Sequence, residues 1–558
     1  TNTETDTRLR EARTQCRDIE TSLAHLSFRR YTAKLHSEGD RSGRLLAWLL
    51  REDRTSKPIG AIRDSNGIVL NTQIDINTAF AEYYRKLYSE QNPPTQTQVD
   101  QYLSNIGLPK LTPEQLEDTE ESIQLHDITY AIHQLARGKV PGTDGFPIEY
   151  YATYVELLSP RLLEVYKEAW EKKCLPDSMS TAMIVVLHKK GKDPLDVRSY
   201  RPLSLLNTDY KILGKILANR LLPHIGVLVH PDQNGFIPSR STFLNTRRLL
   251  AVMHTVSRSE PTSVAVSLDI EKAFDTLSWS YLLGVLKGME FGPNYIRWIA
   301  TLYNKPNARV RTGHCISESF QIYRGTRQGC PLSPLIFAIA MEPLACTLRQ
   351  YGIQWGIEMH GTQHIISLYA DDALIYLRDP TVSLPGLLTE LDRFGKVSGL
   401  KVNWAKSCIF PLQYIPTIQR PMEQQSRLKW EYDTFRYLGV QVYHAEKDLI
   451  VGNVMKVLKS RQASLNFWTS LPLTPIGRVA ISKMLVLPRF LYYFSALPIL
   501  LSKRFFSDLH KLLGELIWGP NRHRLSLGKL QSPMVRGGLA APNFEYYYAE
   551  AQLQWLTL

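Results

Sequence analysis

Three aspartates stand where apolar strand-like sequence ends. Asp371 and Asp372 interrupt the run "IISLYADDALIYL", and Asp269 closes "SVAVSL" before the chain turns into "IEKAFDTLSW". An aspartate at a strand end commonly shapes a turn or caps a helix. Two such sites in one chain invite a different reading. If strands over 264–269, 365–370 and 373–377 share a sheet, the three carboxylates lie side by side and repel unless a cation neutralises them. Magnesium suits such a cluster, because it takes oxygen ligands, keeps several waters and completes its shell with substrate phosphates. Two such ions can activate a 3′ hydroxyl and stabilise a leaving pyrophosphate in an in-line displacement, which is nucleotidyl transfer.

Other residues could serve that chemistry. "VLHKKGKDPLDVRSYRPLSL" gathers Lys189, Lys190, Lys192, Arg198 and Arg201, the donors a triphosphate needs, although a solvated basic loop has the same composition. "GTRQGCPLSP" reads as a tight loop entering the helix "PLIFAIAMEPLA", and Cys330 within it reads as packing. Phe274 follows Asp269 by five residues; by itself it reads as a core phenylalanine. Downstream, Lys456, Lys459, Arg461, Arg478 and Lys483 interleave with Phe467, Trp468, Tyr492 and Tyr493. Cations can track a phosphate backbone and aromatics can stack on bases, or the aromatics can simply be core.

The elements that position these residues read as α+β. Residues 1–56 read as charged helices, Asn66 and Gly67 as a hairpin turn, "INTAFAEYYRKLYSEQ" as a helix and "QNPPTQTQVDQ" as a linker. A strand over "TAMIVVLHKKGKD", helices over "PRLLEVYKEAWEKKC" and "DYKILGKILANRLLPHI", and helical spacing from about 452 onward complete the pattern. At 558 residues the chain exceeds one core, so three or four subdomains are expected. A formal charge of +13 favours a polyanionic partner over mere solubility. The 6 cysteines are scattered without zinc-type spacing, and no apolar run suits a membrane span or a leader. A soluble intracellular protein is expected, and the opening Thr1 suggests a piece of a longer polypeptide.

"SLDIEKAFD", "RGTRQGCPLSPLIFAIAMEPLA" and "LYADDALIYL", in this order, resemble conserved blocks of reverse transcriptases. "GKVPGTDGFPIEYY", "HPDQNGFIPSRS", "SGLKVNWAKS", "FRYLGVQV" and "GGLAAPNFEYYYAEAQLQWL" resemble, more narrowly, vertebrate LINE elements, non-LTR retrotransposons of the lineage bearing an apurinic-type endonuclease. The resemblance implies a right-hand polymerase: an N-terminal extension over 1–95, fingers over 96–260, a palm over 261–445 and a thumb over 446–558. It implies that Asp269, Asp371, the Ile270 carbonyl and, more loosely, Asp372 hold two Mg2+ ions, with Mn2+ able to substitute. Arg201 and Lys189 would bind the deoxynucleotide triphosphate, Gln328 and Gly329 would lie along the nucleotide, and Phe274 would exclude a 2′ hydroxyl. Lys406, with Lys401 as rival, would protonate the departing pyrophosphate, and Lys456, Lys459, Arg461, Arg478 and Lys483 would grip nucleic acid. Template RNA, primer DNA, their hybrid and an element-encoded RNA-binding protein are the implied partners, in nucleus and cytoplasm. An endonuclease and a Cys/His segment are expected in the full polypeptide, so this chain should extend a supplied primer without cutting DNA. A catalytically retired RNA-binding relative and an intron maturase are the competing readings.

Overall fold

The computed structural model describes residues 59–556 except 65–66, 91, 257–261, 414, 416–422, 424–426, 461–472 and 520–523. The helices expected over 1–56, together with Cys16, Arg461, Phe467 and Trp468, lie outside the described residues. The chain divides into two compact units, one spanning Ser56–His444 and one containing Ala445–Leu558. The segments expected over 96–260 and 261–445 share the first unit, and one apolar core runs through both.

Eight strands carry the argument: β1 (Thr181–His188), β2 (Tyr200–Leu205), β3 (Val264–Leu268), β4 (Asn307–Thr312), β5 (Ile366–Tyr369), β6 (Asp372–Leu377), β7 (Cys408–Pro411) and β8 (Lys429–Trp430). One sheet runs in the order β2-β1-β4, extended by Cys315–Ile316. β1 pairs antiparallel with β2, Leu187 opposite Arg201, and parallel with β4. Helix α1, Gln73–Tyr88, covers this sheet because Ile76, Phe80, Tyr84 and Tyr88 recur on one face and are buried. Thr72 caps it by accepting from the Asp75 N–H.

The second sheet runs β5-β6-β3-β7-β8, antiparallel except between β7 and β8. Its central strands β3 and β6 are near-continuous apolar runs, buried on both faces from Val264 to Val266 and from Ala373 to Leu377. Helix Ser333–Gln350 joins the same core and is buried without a break from Leu335 to Leu348.

The expected linker "QNPPTQTQVDQ" is corrected. Gln96–Leu103 is a helix, because Thr95 and Gln98 form a capping box directly after the two prolines. Val99 and Leu103 are buried, and Val99 lies so close to Gly284 that a Cβ there would stand 2.4 Å away.

The unit containing Ala445–Leu558 has its own core of phenylalanines. Helices Leu487–Ala496, Lys503–Trp518 and Phe544–Leu553 bring the Phe490 ring to 6.0 Å from Phe505 and 5.9 Å from Phe544. No helix of the described residues is long and apolar enough to cross a membrane.

Candidate active site

β5 and β6 are joined by a two-residue turn, Ala370-Asp371, that sets Tyr369 opposite Asp372. Ala370 has φ 57°, a left-handed conformation that costs a residue with a Cβ about 1–2 kcal/mol. Across the sheet, Ala373 of β6 pairs with Leu268 of β3. The pairing ends there, one residue short of Asp372 and of Asp269, so both aspartates stand at the same end of the paired strands. The three aspartates predicted from strand ends are therefore brought together. Burial and then Asp269 raise the carboxyl of Asp371 above its ordinary range. The Asp372 carboxyl is pushed up to about 6 by burial and then by Asp371 and Asp269.

The segment 401–407 is laid against Asp269. The Glu271 N–H donates to the Lys401 carbonyl at 2.8 Å and the Asn403 N–H to the Asp269 carbonyl at 2.7 Å. The Asp269 N–H donates to Ser407 Oγ at 3.1 Å. Ile270 thereby faces Val402 as a pair without mutual hydrogen bonds, so its own carbonyl turns away from this segment, toward the β6 side. Lys406 Nζ donates to Asp269 Oδ2 at 2.9 Å. Lys401 instead lines a cleft of about 830 Å³ with Lys86, Glu90, Glu271, Arg324 and Trp404.

The β1–β2 hairpin supplies cations. Arg201 is exposed on β2, and Lys189 Nζ donates to the Arg198 carbonyl at 3.3 Å. The Lys189 ammonium is lowered by burial, then by Lys272, Lys406 and Arg201, while Asp269 pulls it the other way. Arg201 also lowers Asp371, so the hairpin and the aspartates feel one another's charge. Arg198 is spent on Asp196, 3.1 Å away, and Lys190 and Lys192 are exposed. The loop holding Gln328 reaches the same hairpin: Gly329 has φ 111°, and a Cβ there would stand 2.9 Å from the Ser204 carbonyl. Cys330 is buried, its thiol raised by that burial. The Phe274 ring stacks on Phe337 at 4.5 Å and meets the ring of Phe236 edge-on at 6.0 Å.

Residues 187–442 match the family described as Reverse transcriptase (RNA-dependent DNA polymerase). The chain carries a reverse transcriptase domain. The Xenopus laevis transposon TX1 uncharacterized 149 kDa protein is 28% identical over 98% of this chain and 42% of its own length. A retrovirus-related Pol polyprotein from a type-1 retrotransposable element R2 of Popillia japonica is 28% identical over 56% of this chain and 44% of its own. The RNA-directed DNA polymerase from mobile element jockey of Drosophila melanogaster is 22% identical over 78% of this chain and 47% of its own. The resemblance to non-LTR retrotransposon reverse transcriptases therefore holds, and the chain spans less than half the length of each of these relatives.

The reverse transcriptase domain contains further residues at the site to which the sequence reading gave no role. Lys272 has φ 50°, stands 5.3 Å from the Tyr83 ring, and its buried ammonium has no hydrogen-bond partner among the described residues. Asp275 is buried and accepts from Tyr88 Oη at 2.8 Å, tying α1 to the turn after Asp269. Gln233 reaches the main chain of Ala370. All but Tyr88 fall inside motif stretches, yet a motif does not say which partner a side chain meets.

In the unit containing Ala445–Leu558, Lys456, Lys459 and Lys483 are exposed. Arg478 donates to the carbonyls of Leu473 and Leu516, both at 3.2 Å, and so braces this unit's own helices. Tyr492 and Tyr493 are half-buried and meet edge-on at 5.4 Å.

Proposed function

We propose that this chain is the RNA-directed DNA polymerase of a non-LTR retrotransposon, copying element RNA into DNA from a 3′ hydroxyl primer at a nicked target. The pairing of β3 with β6, which sets Asp269 and the Asp371–Asp372 turn at the same end of the sheet, carries the reading. In this reading the aspartate-bearing sheet is the palm, over 261–445. The β1–β2 hairpin belongs to fingers over 96–260, and 446–558 is the thumb. Template RNA, primer DNA and their hybrid are the macromolecular substrates, with an element-encoded RNA-binding protein as a further partner in nucleus and cytoplasm.

The donor set fits a divalent cation. Among the described residues no three His, Cys, Asp or Glu side chains are grouped to hold a metal ion by themselves; an ion that takes one or two carboxylates and fills its shell with water and phosphate needs no such group. Lys406 answers the charge of Asp269, and both Asp371 and Asp372 hold protons more tightly than usual, through burial first and neighbouring carboxylates second. Asp269, Asp371 and the Ile270 carbonyl, supported by Asp372, would hold two Mg2+ ions, or Mn2+ in their place. Bound there, the ions supply Lewis acidity to the primer hydroxyl and the triphosphate. Arg201 and Lys189 bind the triphosphate of the deoxynucleotide, which their charge favours. Gln328 lies along the nucleotide, Gly329 lets main chain approach it, and the Phe274 ring packs where a 2′ hydroxyl would clash. Lys406 gives a proton to the departing pyrophosphate. Lys456, Lys459, Arg461, Arg478 and Lys483 track the backbone of the duplex.

Primer extension on an RNA template tests the reading, with Asp371→Asn and Asp269→Asn beside the wild type. Synthesis should require a divalent cation and vanish in both variants, while duplex binding persists. Binding without synthesis by the wild-type chain, under every divalent ion tried, would instead favour the retired RNA-binding reading.

A further inference from the structure

We propose that Gln233 is a positioning residue for the catalytic turn: its amide holds the main chain of Ala370 so that Asp371 and Asp372 keep the spacing the reaction needs. The inference rests on the polymerase reading for what the turn does, and on geometry alone for what holds it. Gln233 Oε1 accepts from the Ala370 N–H at 2.8 Å, and Gln233 Nε2 donates to the Ala370 carbonyl at 3.3 Å. The same Oε1 accepts from the Gly235 N–H at 2.8 Å, which fixes the orientation of the amide. Gln233 is 1% exposed, so it is fenced off from solvent and from substrate.

Ala370 needs such a hold. A two-residue turn with a positive φ at its first position usually employs glycine there, and alanine pays for the conformation. A side chain that accepts and donates at once satisfies both main-chain groups of that residue, as the glutamine amide does. The clamp is itself anchored. The Leu368 N–H donates to the Asp232 carbonyl at 2.8 Å and the Asn234 N–H to the Leu368 carbonyl at 2.9 Å, so residues 232–234 extend the sheet beside β5. Asn245 Nδ2 donates to the same Leu368 carbonyl at 2.8 Å. Asp232 accepts from Arg248 at 2.7 Å and from Arg349 at 3.3 Å. Gly235 allows the close approach, since a Cβ there would stand 2.2 Å from the Ala370 nitrogen.

The test uses the full chain and three readouts. Gln233→Met keeps the volume and removes both hydrogen bonds; Gln233→Glu keeps an acceptor and, when ionised, loses the donor. Hydrogen exchange across Tyr369–Ala373, measured without metal, should accelerate in Gln233→Met while the rest of the protein exchanges as in the wild type. In primer extension kcat should fall about a hundredfold, as a misplacement of about 1 Å can cause, with the deoxynucleotide KM changed by less than about twofold. The Mg2+ concentration that half-saturates the thermal shift should rise, and Gln233→Glu should lie between. Unchanged exchange in the turn, or kcat within about twofold of wild type, overturns the proposal. Should Gln233→Met fail to fold, Gln233→Leu, which also removes both hydrogen bonds, decides, and a wild-type kcat in it overturns the proposal. A wild-type chain that does not polymerise sinks the polymerase reading, and the exchange measurement still decides whether Gln233 holds the turn.

Discussion

Lys406 Nζ stands 2.9 Å from Asp269 Oδ2, so the carboxylate proposed to hold a metal ion is paired with a lysine. The lysine is more than half exposed, and surface pairs contribute about 0–1 kcal/mol, so the pair is easily exchanged for another partner. A residue that can leave Asp269 is free to meet the phosphate side of the reaction. Lys406→Gln and Lys406→Arg should both lower kcat by roughly 10²–10⁴, because neither gives up a proton as an ammonium does. Melting should move little. Pre-steady-state incorporation by both variants is the measurement, and wild-type kcat in Lys406→Arg would reduce the lysine to charge balance.

Phe274 stacks on Phe337 and meets Phe236 edge-on, so its ring is held in place while one side remains partly open. Phe274→Ala should raise ribonucleotide use relative to deoxynucleotide use by on the order of tenfold to a hundredfold, the range a single pocket contact can discriminate. Matched incorporation assays read the ratio. An unchanged ratio would leave Phe274 as a core residue only.

Asp275 is buried against α1 and pushed up to about 6 by that burial, against the pull of Tyr88, Lys272 and Lys189. Tyr83 and Tyr84 of α1 face it as well. In the unfolded chain its carboxyl titrates near its ordinary value of about 3.9. As pH falls through about 6 the folded protein therefore binds a proton that the unfolded chain does not, and stability rises until both are protonated, below about pH 4. The contribution is about 3 kcal/mol for a shift of about two pKa units. Asp275→Asn keeps the acceptor for Tyr88 Oη and should flatten that rise. Thermal melts of the two proteins from pH 7 to pH 5 compare the slopes, and parallel slopes would contradict the assignment.

Asp232 is the opposite case. Burial would raise its carboxyl, but His230 and Arg248 hold it down at about 2. Its stabilisation is present above its ordinary range and is lost as pH falls through about 2. Asp232→Ala leaves Arg248 without its carboxylate partner, and breaking a buried pair from one side costs about 3–5 kcal/mol. Because Arg349 keeps Glu342, the lower end of that range is expected from urea melts. A loss below about 1 kcal/mol would show the network to be ornamental.

Much of the site was legible in the chain itself. Apolar runs long enough to be strands but too short for buried helices, each adjoining an aspartate, announced β3, β5 and β6 and the residues at their ends. The resemblance of the surrounding blocks supplied roles for Arg201, Lys189, Phe274, Gln328 and Lys406, because motif order and spacing survive in one dimension. Helix Gln96–Leu103 was hidden behind the composition of a linker, although its capping box was written in the sequence.

What the tertiary structure alone decided is who meets whom across long separations. Lys406 reaches Asp269, and Gln233 reaches Ala370, each across 137 residues. Lys401, five residues before Lys406, faces a different cleft. Arg478, which the resemblance implied as a nucleic-acid contact, donates to the carbonyls of Leu473 and Leu516. Local sequence determines periodicity, and with it strands, helices and the faces they bury. The partner of a polar side chain depends on sheet order and register, and these are settled only when the apolar core packs and every buried donor and acceptor has to find a match.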